Sequence, residues 1–235
     1  MAERSADVRE RIVQVTAELL AHGGRDAAST RAVSAAAGVQ PPTIYRQFGD
    51  MQGLLDATAR ETFAAYVREK ADREPTDDPL EDLRRGWDLH VAFGLANPAV
   101  YALIYSDPNA FPTTPAAQDG LAILEGLVTR LAQVGRLRVS VPHAARLIAA
   151  AGEGLTRSLI NTPLEARDPQ LSNSMREAVL SAITTPNSQQ VAPEGVQRVT
   201  AHAIALRAVL REAPKILSQA ERQLLEEWLE RLANT

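Results

Sequence analysis

The chain has 235 residues, no cysteine, and 25 Lys and Arg against 29 Asp and Glu, for a formal charge of -4. That length buries a sizeable core without staples, and the lack of cysteine excludes disulfide frameworks, thiolate metal sites and cysteine nucleophiles, which suits a reducing cytoplasm. The acidic balance excludes a generally basic coat for nucleic acid, so any contact with DNA must come from a local arrangement.

The N-terminus is charged and lacks the apolar stretch of a secretory signal. The most apolar runs, 101–105 and 147–151, are far short of the roughly 20 residues that span a bilayer. A cytoplasmic protein with no membrane partner is expected. Ala, Leu, Arg and Glu are abundant, apolar residues recur at three and four, and period-two segments are missing, so the expected fold is all-α.

The first helix is expected from about Ser5, with Val8, Ile12, Val15 and Leu19 on one face, and to stop at Gly23-Gly24. Two short helices follow at 30–37 and 41–48. Thr30 caps the first, Val33 and Ala37 face inward, Gly38 takes the left-handed conformation, and Val39 packs back. Gln40-Pro41 opens the second, which buries Ile44 and Phe48. Small residues at Ala32, Ser34, Ala35 and Ala36 let the two helices cross closely. A longer helix runs from Asp50 to about Lys70, and the following ADREPTDDP reads as a connection. The expected boundary is near residue 75, dividing a three-helix helix-turn-helix head (1–75, motif 29–48) from a larger helical body (76–235).

On the other face of the second short helix, Thr43, Tyr45 and Arg46 point outward, where a recognition helix meets base edges and phosphates. From Ala27 to Gly49 there are two arginines, Arg31 and Arg46, and no acid. The helix N-termini at Thr30 and Gln40 add positive potential. The candidate DNA-binding residues are therefore Thr30, Arg31, Gln40, Pro41, Thr43, Tyr45 and Arg46. A mere packing corner would not require an outward Thr-x-Tyr-Arg face free of acid.

In the body, helices are expected at 79–96, 98–106, 116–135, 141–161 and 169–184, with a loop at 106–115 and a polar linker at 186–194. Aromatic residues are scarce, yet Trp87, His90, Phe93, Tyr101, Tyr105 and Phe111 fall within one short span. They read either as ordinary core or as the lining of an apolar pocket with a few polar groups. In the helix at 141–161, Glu153, Arg157 and Asn161 form a stripe that reads as an ion pair at a surface or subunit contact, with effector binding as the alternative. Its alanines, Ala144, Ala145 and Ala149 to Ala151, suit close packing on the helix around Met175, Val179 and Ile183. Paired with their symmetry mates these helices would make a four-helix bundle, giving a homodimer face of Ala145, Ala149, Glu153, Arg157, Met175 and Val179. Two more helices, about 195–212 and 218–233, close the chain, the last opened by a Ser218/Glu221 capping box. Trp228 is expected in the core.

Thr30, Val33, Ala37-Gly38-Val39, Thr43-Ile44-Tyr45 and Phe48, followed by Asp50 and Leu54-Leu55, resemble the N-terminal domain of the TetR family over roughly residues 8 to 68. The resemblance implies that the second short helix enters the major groove of operator DNA. It further implies that the long helix links head to dimeric body, and that the middle helices enclose a cavity for a small-molecule effector. Trp87, His90, Phe93, Tyr101, Tyr105 and Phe111 are the candidates for that cavity. Two departures stand out: Gln47 where the family often has His, and Met51 where it often has a phosphate-contacting Lys. The function expected is a ligand-responsive DNA-binding transcriptional regulator, a repressor released from a palindromic operator by a largely apolar effector. No cofactor or metal is expected, since His22, His90, His143 and His202 form no metal-ligand spacing. The competing readings are a helical interaction scaffold and an enzyme using His90, Glu153 or His202.

Overall fold

The computed structural model describes residues 2–105, 114–185, 196–210 and 217–233, with side chains from Ala6 onward in the first stretch and from Val199 onward in the third. Phe111 and the linker expected at 186–194 lie outside the described residues. Among the described residues the chain is built of α-helices, with one isolated antiparallel bridge between Leu137 and Thr184. It forms two compact units that interleave in sequence. The first holds residues 1–73, 90–120 and 156–163; the second holds 74–89, 121–155 and 164–235.

In the first unit, α1 (Ala2–Ala27) is kinked at Gly24, whose φ of 65° breaks the helix where Gly23-Gly24 signalled a stop. Next come α2 (Thr30–Ala37), α3 (Pro41–Phe48) and α4 (Met51–Ala71). The cap of α2 is Ser29, whose hydroxyl accepts from the Ala32 N–H at 3.3 Å; Thr30 is already helical, which corrects the expected cap by one residue. Both side chains can cap, and the extended backbone of Ser29 decides between them. Gly38 ends α2 at φ 65°, ψ 38°, and the Val39 N–H reaches back to the Ser34 carbonyl at 3.0 Å. Ile12, Val13, Val33, Ala37, Ile44 and Leu54 form one buried cluster that fixes the crossing of α1 to α4. The short α6 (Pro98–Ile104) packs on α1 and α4 and buries Val100, Tyr101 and Ile104.

In the second unit, α5 (Pro79–Ala96, up to Leu89) is clamped to α9 (Leu171–Ile183). Arg84 donates through Nε and Nη2 to the two oxygens of Glu177, both at 2.9 Å, and Arg176 bonds Asp88 at 2.5 Å. The Arg84 fork, against the opposing effect of desolvation and with help from Arg176, holds the Glu177 carboxyl down at about 2. The start of α5 is fixed by Asp82, which is buried and accepts from the N–H and the hydroxyl of Thr76 while pairing with Arg130 of α7 (Pro115–Gln133). α8 (Val141–Asn161) buries Ala144, Ala145 and Ile148. The chain closes with α10 (Val196–Leu210) packed on α11 (Gln219–Ala233), and the expected capping box opens α11: Ser218 N–H to Glu221 at 2.8 Å, Glu221 N–H to Ser218 Oγ at 3.3 Å. Trp228 is not core. It is 51% exposed, in one stripe with the exposed Leu224 and Leu232, because Leu229 and Ala233 are the residues that α11 buries.

Candidate nucleic-acid interface

The geometry of the motif follows from which side chains its core consumes. Ile44 is completely buried and anchors α3; Phe48, one turn on, lies under the Arg9 guanidinium, 4.5 Å from the ring centre. With that face used, the others turn to solvent. Arg31, Gln40, Pro41, Tyr45 and Arg46 are exposed, Tyr45 by 46%, and Thr30 and Thr43 are half-buried. The Thr30 hydroxyl lies 3.4 Å from the Tyr45 hydroxyl, tying the start of α2 to the outer face of α3. Pro41 begins α3 at the position where a missing N–H costs nothing. The motif is braced from α1, where Arg11 Nε donates to the Ala37 carbonyl at 3.0 Å. Two short helices thus present hydrogen-bonding side chains, two guanidiniums and a phenol to solvent, with no carboxylate from Ala27 to Gly49.

Sequence reasoning missed Arg25. From the last turn of α1 it donates to Gln52 Oε1 at 2.7 Å, which brings an exposed cation to the first turn of α4, beside Met51. The signal was faint, because Arg25 follows the Gly pair at which the helix was expected to end.

Residues 12–58 match the family of bacterial regulatory proteins designated tetR. That segment contains the helix-turn-helix just described, which is therefore a DNA-binding domain of the tetR type. Solved structures extend the likeness in fold along the chain. A Rhodococcus sp. RHA1 protein of unknown function is similar at TM-score 0.63 and 20% identity, with 76% of this chain and 96% of that one covered. A TetR family transcription regulator from Marinobacter aquaeolei VT8 gives 0.56 and 22%, covering 79% and 100%. The fatty acid degradation regulator FadR from Bacillus halodurans gives 0.58 and 16%, covering 73% and 94%. Each is used almost whole, whereas each match leaves a fifth or more of this chain uncovered. No curated protein matches the sequence.

His90, Phe93, Tyr101 and Tyr105 come together in the first unit. His90 Nε2 lies 3.0 Å from the Tyr101 hydroxyl, and the Tyr101 and Tyr105 rings are 4.6 Å apart. They are joined by two residues of α4 that the sequence did not single out: Tyr66 stacks on Phe93 at 4.5 Å, and Phe63 meets Phe93 edge-on at 5.9 Å. Burial, reinforced by the charge of Lys70, pushes His90 down to about 4, so the ring is neutral at pH 7. Burial also lowers Lys70 itself to about 8. Trp87 belongs to the second unit, buried with its indole N–H on Ser172 Oγ at 3.2 Å.

Of the residues considered for a dimer face, Ala145 is buried within the protomer at 1% exposure, so that side chain has no surface to offer a partner. Ala149, Arg157 and Met175 are exposed and Glu153 and Val179 are half-buried. Among the described residues no group of three His, Asp or Glu could hold a metal ion, and no helix is long and apolar enough to cross a membrane.

Proposed function

We propose that this protein is a homodimeric, ligand-responsive repressor of the tetR family in the cytoplasm. Its head, about 1–75, reads a palindromic operator, and its helical body, about 76–235, senses a small, largely apolar effector and dimerises. The observation that carries the reading is the outer face of α3, where Tyr45 and Arg46 are exposed beside Arg31 with no acid among them. Arginine bonds guanine through two donors, and a phenol suits phosphate or a thymine methyl. Two such helices related by a two-fold would address half-sites about 34 Å apart.

The aromatic cluster around His90 and Tyr101 supports the sensing half of the proposal. It combines large apolar rings with a neutral histidine and three phenols, the mixture that a pocket for an aromatic or hydroaromatic compound needs. An effector there would favour a separation of the heads that the operator does not accept. The exposed residues of α8 and α9, Ala149, Arg157 and Met175 with Glu153 and Val179, are the proposed dimer face.

A gel-shift on DNA from upstream of the protein's own gene tests the reading. The full chain should retard it, and a Tyr45→Ala, Arg46→Ala double variant, folded by its melting curve, should lose specific binding. Equal retardation by both proteins would overturn it.

A further inference from the structure

A cavity of about 630 Å³ opens in the second unit between α7, the start of α8 and α10. That volume suits a drug-sized compound. Its α7 wall is one stripe, Ala122, Glu125, Gly126, Thr129, Arg130 and Gln133, at steps of three and four along about 16 Å of helix. Small side chains make the space: Ala122 and Gly126 on α7 face Ala208 on α10, and a Cβ built at Gly126 would meet nothing within 4 Å. Val141, Pro142 and Ile204 supply apolar surface to a lining that is about as polar as it is apolar.

The polar groups of the lining are unequally committed. Arg130 pairs with the buried Asp82 and donates to the Thr76 carbonyl at 2.6 Å, so its charge is already neutralised. The Thr129 hydroxyl is bonded to the Glu125 carbonyl at 2.7 Å. Arg207 differs: it is half-buried, and among the described residues its guanidinium has no carboxylate within ion-pair distance. A half-buried arginine in the wall of a cleft that mixes polar and apolar groups favours a carboxylate, which its guanidinium can hold with two parallel hydrogen bonds. Glu125, on the same lining, opposes a second negative charge.

We propose that this cavity is a small-molecule site for a monocarboxylate with an apolar body, the carboxylate held by Arg207 and the body lying between α7 and α10. The site is separate from the aromatic residues proposed to sense the effector: none of its lining belongs to the first unit.

The test uses the full chain with ¹³C-labelled isoleucine methyls, titrated with decanoate and, separately, with uncharged decanol. Ile204 lies in the wall, so its methyl reports on occupation of this cavity. Decanoate should shift the Ile204 methyl saturably, and decanol should bind about tenfold more weakly. Arg207→Gln should bring decanoate down to the level of decanol. Ala208→Trp should abolish the shift, with Gly126→Leu filling the cleft from the opposite wall in case the first variant fails to fold. The proposal is overturned if Ile204 does not move at millimolar decanoate, if decanol binds as tightly, or if Arg207→Gln keeps the preference for the acid.

Discussion

Arg25 and Gln52 join the end of α1 to the first turn of α4 through a 2.7 Å hydrogen bond. Gln52 in turn bonds Asp56 one helical turn on, so the guanidinium is held by an element that is itself anchored. This sets an exposed cation where the sequence has Met51 and the TetR-type pattern often has a lysine. Arg25→Ala should therefore weaken operator binding uniformly across sequences and lower the slope of log affinity against log salt by about one. Fluorescence anisotropy over a salt series measures it; an unchanged slope would show that Arg25 meets no phosphate. Arg46→Ala should instead alter which operators are preferred.

Gly38 tests the backbone on which the recognition helix turns. Its φ is +65° and a Cβ there would touch nothing within 4 Å, so the cost of a side chain is conformational alone. Gly38→Ala should destabilise the protein by about 1–2 kcal/mol. Gly126, with equally open space but helical backbone, should give the opposite sign on substitution by alanine, a gain of up to about 1 kcal/mol. Urea denaturation of both variants separates backbone conformation from packing; equal effects would refute the argument.

These details mark how far the sequence was legible. The bounds of α3 and α5 could be read to the residue because Gln40-Pro41 and Asp78-Pro79 signal helix starts that tertiary packing does not override. The outward Tyr45 and Arg46 followed from Ile44 and Phe48 being the apolar pair. What could not be read were relations between helices. Phe63 and Tyr66 looked like parts of a linking helix, and only the approach of Phe93 and His90 gives them a shared cluster. Trp228 looked like core by residue type, but periodicity does not say which side of an amphipathic α11 faces α10. The compact units, too, interleave segments that sequence order keeps apart.

The neutral His90 makes stability depend on pH. Its folded value is about 4 against an ordinary 6.5, so between these values the unfolded chain binds the extra proton. Stability should be unaffected above about pH 6.5 and fall as pH drops toward 4, by roughly 2 kcal/mol by pH 5. His90→Phe removes the group that charges and should flatten this part of the curve. Melting curves of both proteins between pH 7 and 5 decide the matter; parallel losses would mean that His90 is protonated in the folded protein.

The stretch ADREPTDDP reads as a plain connection, yet its middle is stapled to the start of α5. Asp82 accepts from the Thr76 N–H at 3.0 Å and from the Thr76 hydroxyl at 2.7 Å, and Arg130 closes the triangle by pairing with Asp82 and donating to the Thr76 carbonyl. Burial alone would raise the Asp82 pKa; the Thr76 donors and Arg130 outweigh it and hold the carboxyl below its ordinary value. Its contribution is therefore complete above about pH 4 and lost as pH falls through the lowered folded value. Asp82→Asn keeps the shape but points an amide donor at groups that themselves donate, and should cost about 2–4 kcal/mol at pH 7, the lower end applying because Arg130 keeps some exposure to solvent. Pairing it with Arg130→Met should cost less than the sum of the two single changes, since each alone strands the other's charge or donors. Strict additivity in urea denaturation would mean that the triangle does not act as a unit.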